Sequence, residues 1–274
     1  MMRGPLAARL VAHTAALLAA TLASPLAQAQ TSAADGIAQY RALLADGNPA
    51  ELWEAKGELL WKQPRGTKKV SLEQSCDLGK GTGVVKGAFV ELPRYFNDTK
   101  RVQDLESRLL SCMETQGFNA AEVAATPFGR GEQVNIEALV AYVSAESKGM
   151  KFNVSQAHAE ERKMFEVGKR LFYFRGGPYD FACASCHGEP GKRIRLQDLP
   201  DLTHNPGDGV GFAAWPAYRV SSGELWSMQR RLNDCYRQQR FPFPGYASDA
   251  TIALSTFMAV QGRGAVSIAP ALKR

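Results

Sequence analysis

The five residues Cys183-Ala184-Ser185-Cys186-His187 constrain this chain more than any other stretch. In a C-x-x-C-H run the two thiols add to the vinyl groups of a haem, and the adjacent imidazole is held beneath the iron. Cys183 and Cys186 are therefore the expected thioether anchors of one covalently bound haem c, and His187 the expected proximal ligand. Two other uses of such a run fit less well. A dithiol redox pair calls for a βαβ context that the sequence lacks. A four-ligand zinc site calls for a second, suitably spaced ligand pair, and there is none.

Covalent haem attachment belongs to exported proteins, and the first residues agree. Arg3 and Arg9 precede an apolar, Ala-rich run from Leu10 to Ala23, and Ala27-Gln28-Ala29 is a small-x-small cleavage site. The expectation is a signal peptide over residues 1–29, cleavage after Ala29 and a periplasmic mature chain beginning at Gln30. The apolar run is too short and too weakly apolar for a membrane anchor, and no later stretch could span a membrane. With no Arg-Arg pair in this region, the general secretion route is expected.

The chain reads as a duplication. Gly57-Glu58-Leu59-Leu60-Trp61 precedes Cys76-Asp77-Leu78-Gly79-Lys80, as Gly168-Lys169-Arg170-Leu171-Phe172 precedes the haem motif. Each half continues with a charged helix carrying one cysteine: Leu105 to Gln116 with Cys112, and Gly223 to Gln239 with Cys235. Each closes on an apolar helix, with Ala138-Leu139, Tyr142-Val143 and Gly149 in the first and Ala253-Leu254, Phe257-Met258 and Gly262 in the second. Strand signals are sparse. The expected fold is all-α, with two tandem cytochrome c-like domains at 30–150 and 151–274. The boundary falls near Lys148 to Asn153, and Ser155 can cap the next helix. Long Gly- and Pro-rich loops join the helices, the longest from Gly188 to Ala217.

The first of these domains is expected to bind no haem. Gly79 stands where the second anchor would be, and Lys80 where the proximal histidine would be. That leaves Cys76 and Cys112, and in an oxidising compartment the simple outcome is a Cys76–Cys112 disulfide. Cys235 is then the odd cysteine. It sits on a helix predicted over Leu225 to Gln239, capped by Ser221 or Ser222, with Arg231 one turn earlier on the same face. Arg230, Arg237 and Arg240 add positive charge, which favours thiolate and would hold a small anion. Read from the residues, the sixth haem ligand is open among Cys235, His204, Met228 and Met258. His158 is expected on a helix surface, without a role.

The net charge of +6 and pI near 9.1 suggest anionic partners. Nucleic acid is not among them, since no basic tract with interleaved aromatics is present.

Taken together, the two cytochrome c-like halves, the C-x-x-C-H of the second and the helix Arg231-Leu232-Asn233-Asp234-Cys235 resemble the SoxA subunit of the SoxAX cytochromes of bacterial thiosulfate oxidation. The departure at Gly79 and Lys80 resembles the single-haem kind. The resemblance implies that Cys235 is the distal ligand of the iron, as thiolate or persulfide, and that Arg231 contacts substrate. A cysteine matching Cys112 is a distal ligand in two-haem members, a role without a metal here. It further implies an L-cysteine S-thiosulfotransferase, a heterodimer with the monohaem cytochrome SoxX. Its reaction joins thiosulfate to a cysteine of the carrier SoxYZ and passes two electrons to a c-type cytochrome. The competing readings are a plain periplasmic electron-transfer cytochrome and a haem-based sensing module.

Overall fold

Two of the helices are buried on nearly all sides, and the rest of the molecule is arranged around them. In the computed structural model, which describes residues 35, 36, 39, 47–194, 197–204 and 210–273, these are α5 (Gly131–Ala145) and α10 (Asp249–Gln261). Every residue of α10 from Thr251 to Val260 is buried. A helix that is apolar all round belongs in a core. Ser248 starts α10 by accepting the Thr251 amide on its hydroxyl. The expected signal peptide and its cleavage site lie outside the described residues. The described residues from 47 to 273 belong to one compact unit.

Each buried helix carries an amphipathic partner. Helix α1 (Ala50–Lys62) packs along α5, and α6 (Ala159–Tyr173) along α10. A glycine sets both crossings. A Cβ on Gly57 would lie 2.0 Å from the Ala138 carbonyl oxygen and 2.7 Å from the Tyr142 Cβ. A Cβ on Gly168 would lie 1.9 Å from the Ala253 carbonyl oxygen and 2.9 Å from the Phe257 Cβ. Only glycine permits such contact between helix backbones.

Shorter elements connect the pairs. In the first half they are α2 (Leu72–Ser75), a 3₁₀ turn (Phe89–Glu91), β1 (Arg94–Phe96), β2 (Arg101–Gln103), α3 (Leu105–Thr115) and α4 (Ala120–Ala125). In the second half they are α7 (Cys183–His187), β3 (Arg193–Ile194), β4 (Gln197–Asp198), α8 (Val210–Ala213), β5 (Ala217–Arg219), β6 (Glu224–Trp226), α9 (Met228–Gln238) and β7 (Ala271–Lys273).

The chain is therefore mostly helical but not all-α. Strands β1 and β2 pair antiparallel with Tyr95 opposite Val102, and β3 pairs with β4. Strand β5 lies between β6 and β7, antiparallel to the first and parallel to the second. Segments of two or three residues leave no alternation to read in the sequence. The β5–β6 hairpin also corrects the start of the cysteine-bearing helix. Glu224-Leu225-Trp226 is strand, so α9 begins at Met228, and its cap is Ser227 rather than Ser221 or Ser222. Likewise α6 is capped by His158, not Ser155. The His158 ring nitrogen accepts the Glu160 amide, and the ring stacks on Tyr95 at 3.7 Å. Ser155 instead donates its hydroxyl to Glu161. His158 thus has a structural task where none was expected.

Candidate haem centre

Helix α7 follows an isolated β-bridge between Gly176 and Phe181, and the Ser185 hydroxyl accepts the Ala182 amide at its start. One turn holds Cys183, Cys186 and His187 together, and Gly188 ends it. The His187 ring nitrogen Nδ1 lies 2.8 Å from the Pro200 carbonyl oxygen. A carbonyl can only accept, so Nδ1 carries the proton and Nε2 is left as the donor atom for a metal. A backbone partner on the far nitrogen is the usual way a ligating histidine is oriented. Burial lowers the His187 pKa, against the pull of that hydrogen bond.

Helix α9 brings Cys235 to the same place. Burial pushes the Cys183 thiol up to about 12, and the nearby Cys235 adds to the effect. Cys186 acts on Cys235 in the same direction. Tyr236 is pushed up to about 12 by burial and by Cys183. The three thiols are therefore electrostatic neighbours across α7 and α9, and Arg231 interacts with both Cys235 and His187. Cys183, Ala184, Met228 and Tyr236 are half-buried and pack on the main core.

This donor set fits haem c. Two thiols on one helical turn with a histidine beside them match two tethers and one axial ligand, and Cys235 on a second helix interacts electrostatically with both thiols. Among the described residues no group of three His, Cys, Asp or Glu side chains could hold a bare metal ion. A porphyrin supplies four equatorial donors itself, so the protein need supply only axial ones.

Of the cations expected around Cys235, Arg231 is the one that interacts electrostatically with it. Arg231 also interacts with His187, donates to Asp234 at 3.0 Å, and lies 6.0 Å from the Trp215 ring centroid. Arg230 turns the other way, to Glu137 at 2.9 Å and to Glu224, with its guanidinium over Trp226. Arg237 bonds Asp234 from the exposed side, and Arg240 is exposed. Burial raises the Cys235 pKa and outweighs the opposing pull of Arg231 and Arg219. The cations alone therefore do not make it a thiolate, whereas bonding to a metal would.

Arg219, at the end of β5, is a site neighbour that no pattern in the sequence marked. It interacts with both Arg231 and Cys235. Among the other ligand candidates, Met258 is buried in α10 and Met228 lies in the first turn of α9. His204 is exposed, with Nδ1 2.5 Å from Asp201.

Cys76 and Cys112 form a disulfide with Cα atoms 5.1 Å apart. Both are fully packed in the core, unlike the half-open cysteines of α7.

Comparison with known proteins places the chain. It is 54% identical over 239 residues to the L-cysteine S-thiosulfotransferase subunit SoxA of Hydrogenophilus thermoluteolus, covering 87% of each chain. The chain belongs to the SoxA family. Another SoxA, from Hydrogenobacter thermophilus, is 35% identical over 227 residues, 82% of each chain. A family model described as SoxA/TsdA, cytochrome c domain, matches residues 56–152. A solved structure of SoxXA from P. pantotrophus shares the fold, with a TM-score of 0.71 over 86% of this chain and 84% of that one, at 22% identity. As a SoxA-family cytochrome, the chain carries covalently bound haem c. Among the described residues, no helix is long and apolar enough to cross a membrane.

Proposed function

We propose that this SoxA-family chain is the haem subunit of a periplasmic L-cysteine S-thiosulfotransferase, exported by residues 1–29 with cleavage after Ala29. Cys183 and Cys186 anchor the haem, His187 and Cys235 are its axial ligands, and Arg231 holds thiosulfate. One observation carries the reading: Cys235 on α9 is within electrostatic reach of Cys183 and Cys186 on the haem turn, and Arg231 is within reach of both Cys235 and His187.

Bound there, haem c supplies one-electron redox capacity. The chain's own residues do the rest. His187, fixed through Nδ1 to Pro200, keeps Nε2 directed and unprotonated. Arg231 offers charge-assisted hydrogen bonds to the sulfonate end of the thiosulfate dianion. That places the terminal sulfur of the substrate near Cys235, in a setting where burial strengthens every charge interaction. The overall step joins a thiol of the carrier SoxYZ to thiosulfate through a new sulfur–sulfur bond and releases one proton and two electrons. The electrons leave singly to a c-type cytochrome acceptor. The monohaem cytochrome SoxX is the partner subunit, in keeping with the SoxXA complex whose fold this chain shares.

The two halves are read as tandem cytochrome c-like domains, 30–150 and 151–274, the first without haem. The matched crossings at Gly57–Ala138 and Gly168–Ala253 support the duplication. The first half has no free thiol or imidazole at the corresponding turn. Cys76 is in the disulfide, Gly79 gives its carbonyl to Arg94 at 2.8 Å, and Lys80 pairs with Glu91 at 2.5 Å.

The test is Arg231→Ala in the complex with SoxX. Loss of thiosulfate turnover on SoxYZ, with reduction of the haem by ascorbate unchanged, is the expected result. Turnover equal to that of the unmodified complex would reduce the chain to a plain electron carrier.

A further inference from the structure

We propose that Arg219 is a second binding residue for the substrate anion, completing with Arg231 a paired-guanidinium site beside Cys235. This rests on the reading of the Cys235 centre given above.

The two acids that could neutralise Arg219 are committed elsewhere. Its cross-strand neighbour is Glu224, but the Glu224 carboxylate is bonded to Arg230. Asp234 is near enough to interact with Arg219. Yet Asp234 Oδ2 takes Arg231 at 3.0 Å and Gln238 at 2.5 Å, and its Oδ1 takes Arg237 at 2.7 Å. No ion pair forms on Arg219 among the described residues, and its Nε is buried without a hydrogen-bond partner. A buried donor left unmade is costly, so it marks a place where a partner is expected.

Arg219 is nonetheless held in position. Its guanidinium lies 4.5 Å from the Trp226 ring centroid, and Arg230 lies 4.6 Å from the same centroid. The indole thus contacts both Arg219 and an arginine of the helix that carries Arg231 and Cys235. The parallel with Arg231 is close, since Arg231 lies near Trp215. Burial and the charge of Arg231 both lower the Arg219 pKa. Two like charges brought together beside one sulfur are unfavourable alone and favourable around a dianion. A tetrahedral sulfonate has three oxygens to offer, enough for two planar donor forks. Arg231 forms a direct ion pair with Asp234, whereas Arg219 feels Asp234 only at longer range, so the Arg219 guanidinium keeps its donors for the anion.

The experiment is a calorimetric titration of the oxidised holo-complex with sodium thiosulfate, in the absence of carrier and electron acceptor. It is run on the unmodified complex and on Arg219→Gln, Arg219→Lys and Arg231→Ala. Steady-state KM for thiosulfate and the melting temperature are measured alongside. The expected result is that Arg219→Gln weakens thiosulfate binding and raises KM by about tenfold or more, the loss of a hydrogen bond to a charged group. Arg219→Lys should recover part of the loss, with the melting temperatures of all three variants close to that of the parent. Unchanged binding and KM in Arg219→Gln, with Arg231→Ala defective, would overturn the role of Arg219 and leave the Cys235 centre standing. Unchanged binding in both would overturn the centre itself. A fall in melting temperature in Arg219→Gln that Arg219→Lys repairs without repairing KM would make Arg219 a structural residue and overturn the proposal.

Discussion

A Cβ on Gly168 would meet the Ala253 carbonyl oxygen at 1.9 Å, and the obstacle is backbone rather than a movable side chain. Helices α6 and α10 must part to admit even a methyl group. Gly168→Ala should therefore destabilise the protein by about 2–3 kcal/mol, in the range of overpacked cores. Gly57→Ala should do the same through Ala138. Urea unfolding followed by circular dichroism checks both. A cost no larger than that of an exposed helical Gly→Ala change would contradict the packing described.

The Cys76–Cys112 disulfide spans 36 residues. Closing a loop of that length stabilises by about 4 kcal/mol in the chain-entropy model. The double variant Cys76→Ala, Cys112→Ala should lose stability of that order while its haem absorbance per chain stays the same. A drop in haem content would instead place one of these cysteines in haem binding.

Arg230 and Arg231 are adjacent in sequence and opposite in task. Arg230→Met leaves Glu137 buried without its cation. The expected cost is about 3–5 kcal/mol, as for other buried pairs that lose one partner. KM for thiosulfate should rise as well, by less than in Arg219→Gln, because Glu224 is then released opposite Arg219. Chemical denaturation and initial-rate kinetics on the same preparation separate the two effects.

Glu106 joins α3 to the start of α9. Its carboxylate accepts the Gln229 amide at 3.1 Å and the Tyr246 hydroxyl at 3.0 Å, beside Asp104, which takes the Gln229 side-chain amide at 2.6 Å. Burial, reinforced by the Asp104 charge, raises its pKa from 4.5 to about 8. Between those values the folded state keeps a proton that the unfolded chain has lost. Stability from this group is thus full below about pH 4.5 and is lost as pH rises toward 8, at up to about 1.4 kcal/mol per pH unit. Glu106→Gln should flatten the decline. Melting temperatures from pH 5 to pH 8 check it, and identical slopes in parent and variant would contradict it.

What could be read from the sequence was whatever chemistry or packing forces into neighbouring positions. The haem turn is contiguous because thioether anchoring requires it. The disulfide followed from counting cysteines, and the glycine at each crossing stood in a repeated context. What escaped reading depends on direction or on distance along the chain. Strands of three residues carry no period, so β6 passed for the start of α9, and Ser227 was missed as its cap. His158 is an unusual cap because its acceptor is a ring nitrogen. Consecutive arginines on a helix point about 100° apart, and nothing local says which faces the site. Arg219 lies on a separate strand sixteen positions before Cys235, and only the folded hairpin brings it near.

The central claim is that Cys235 is the axial partner of His187. The most direct measurement is the electron paramagnetic resonance spectrum of the oxidised, haem-loaded protein, recorded beside Cys235→Ala. The account predicts a thiolate-ligated low-spin ferric signal in the parent that disappears in the variant. A histidine–methionine signal, the same in both, would contradict it and return the sixth position to Met228 or Met258.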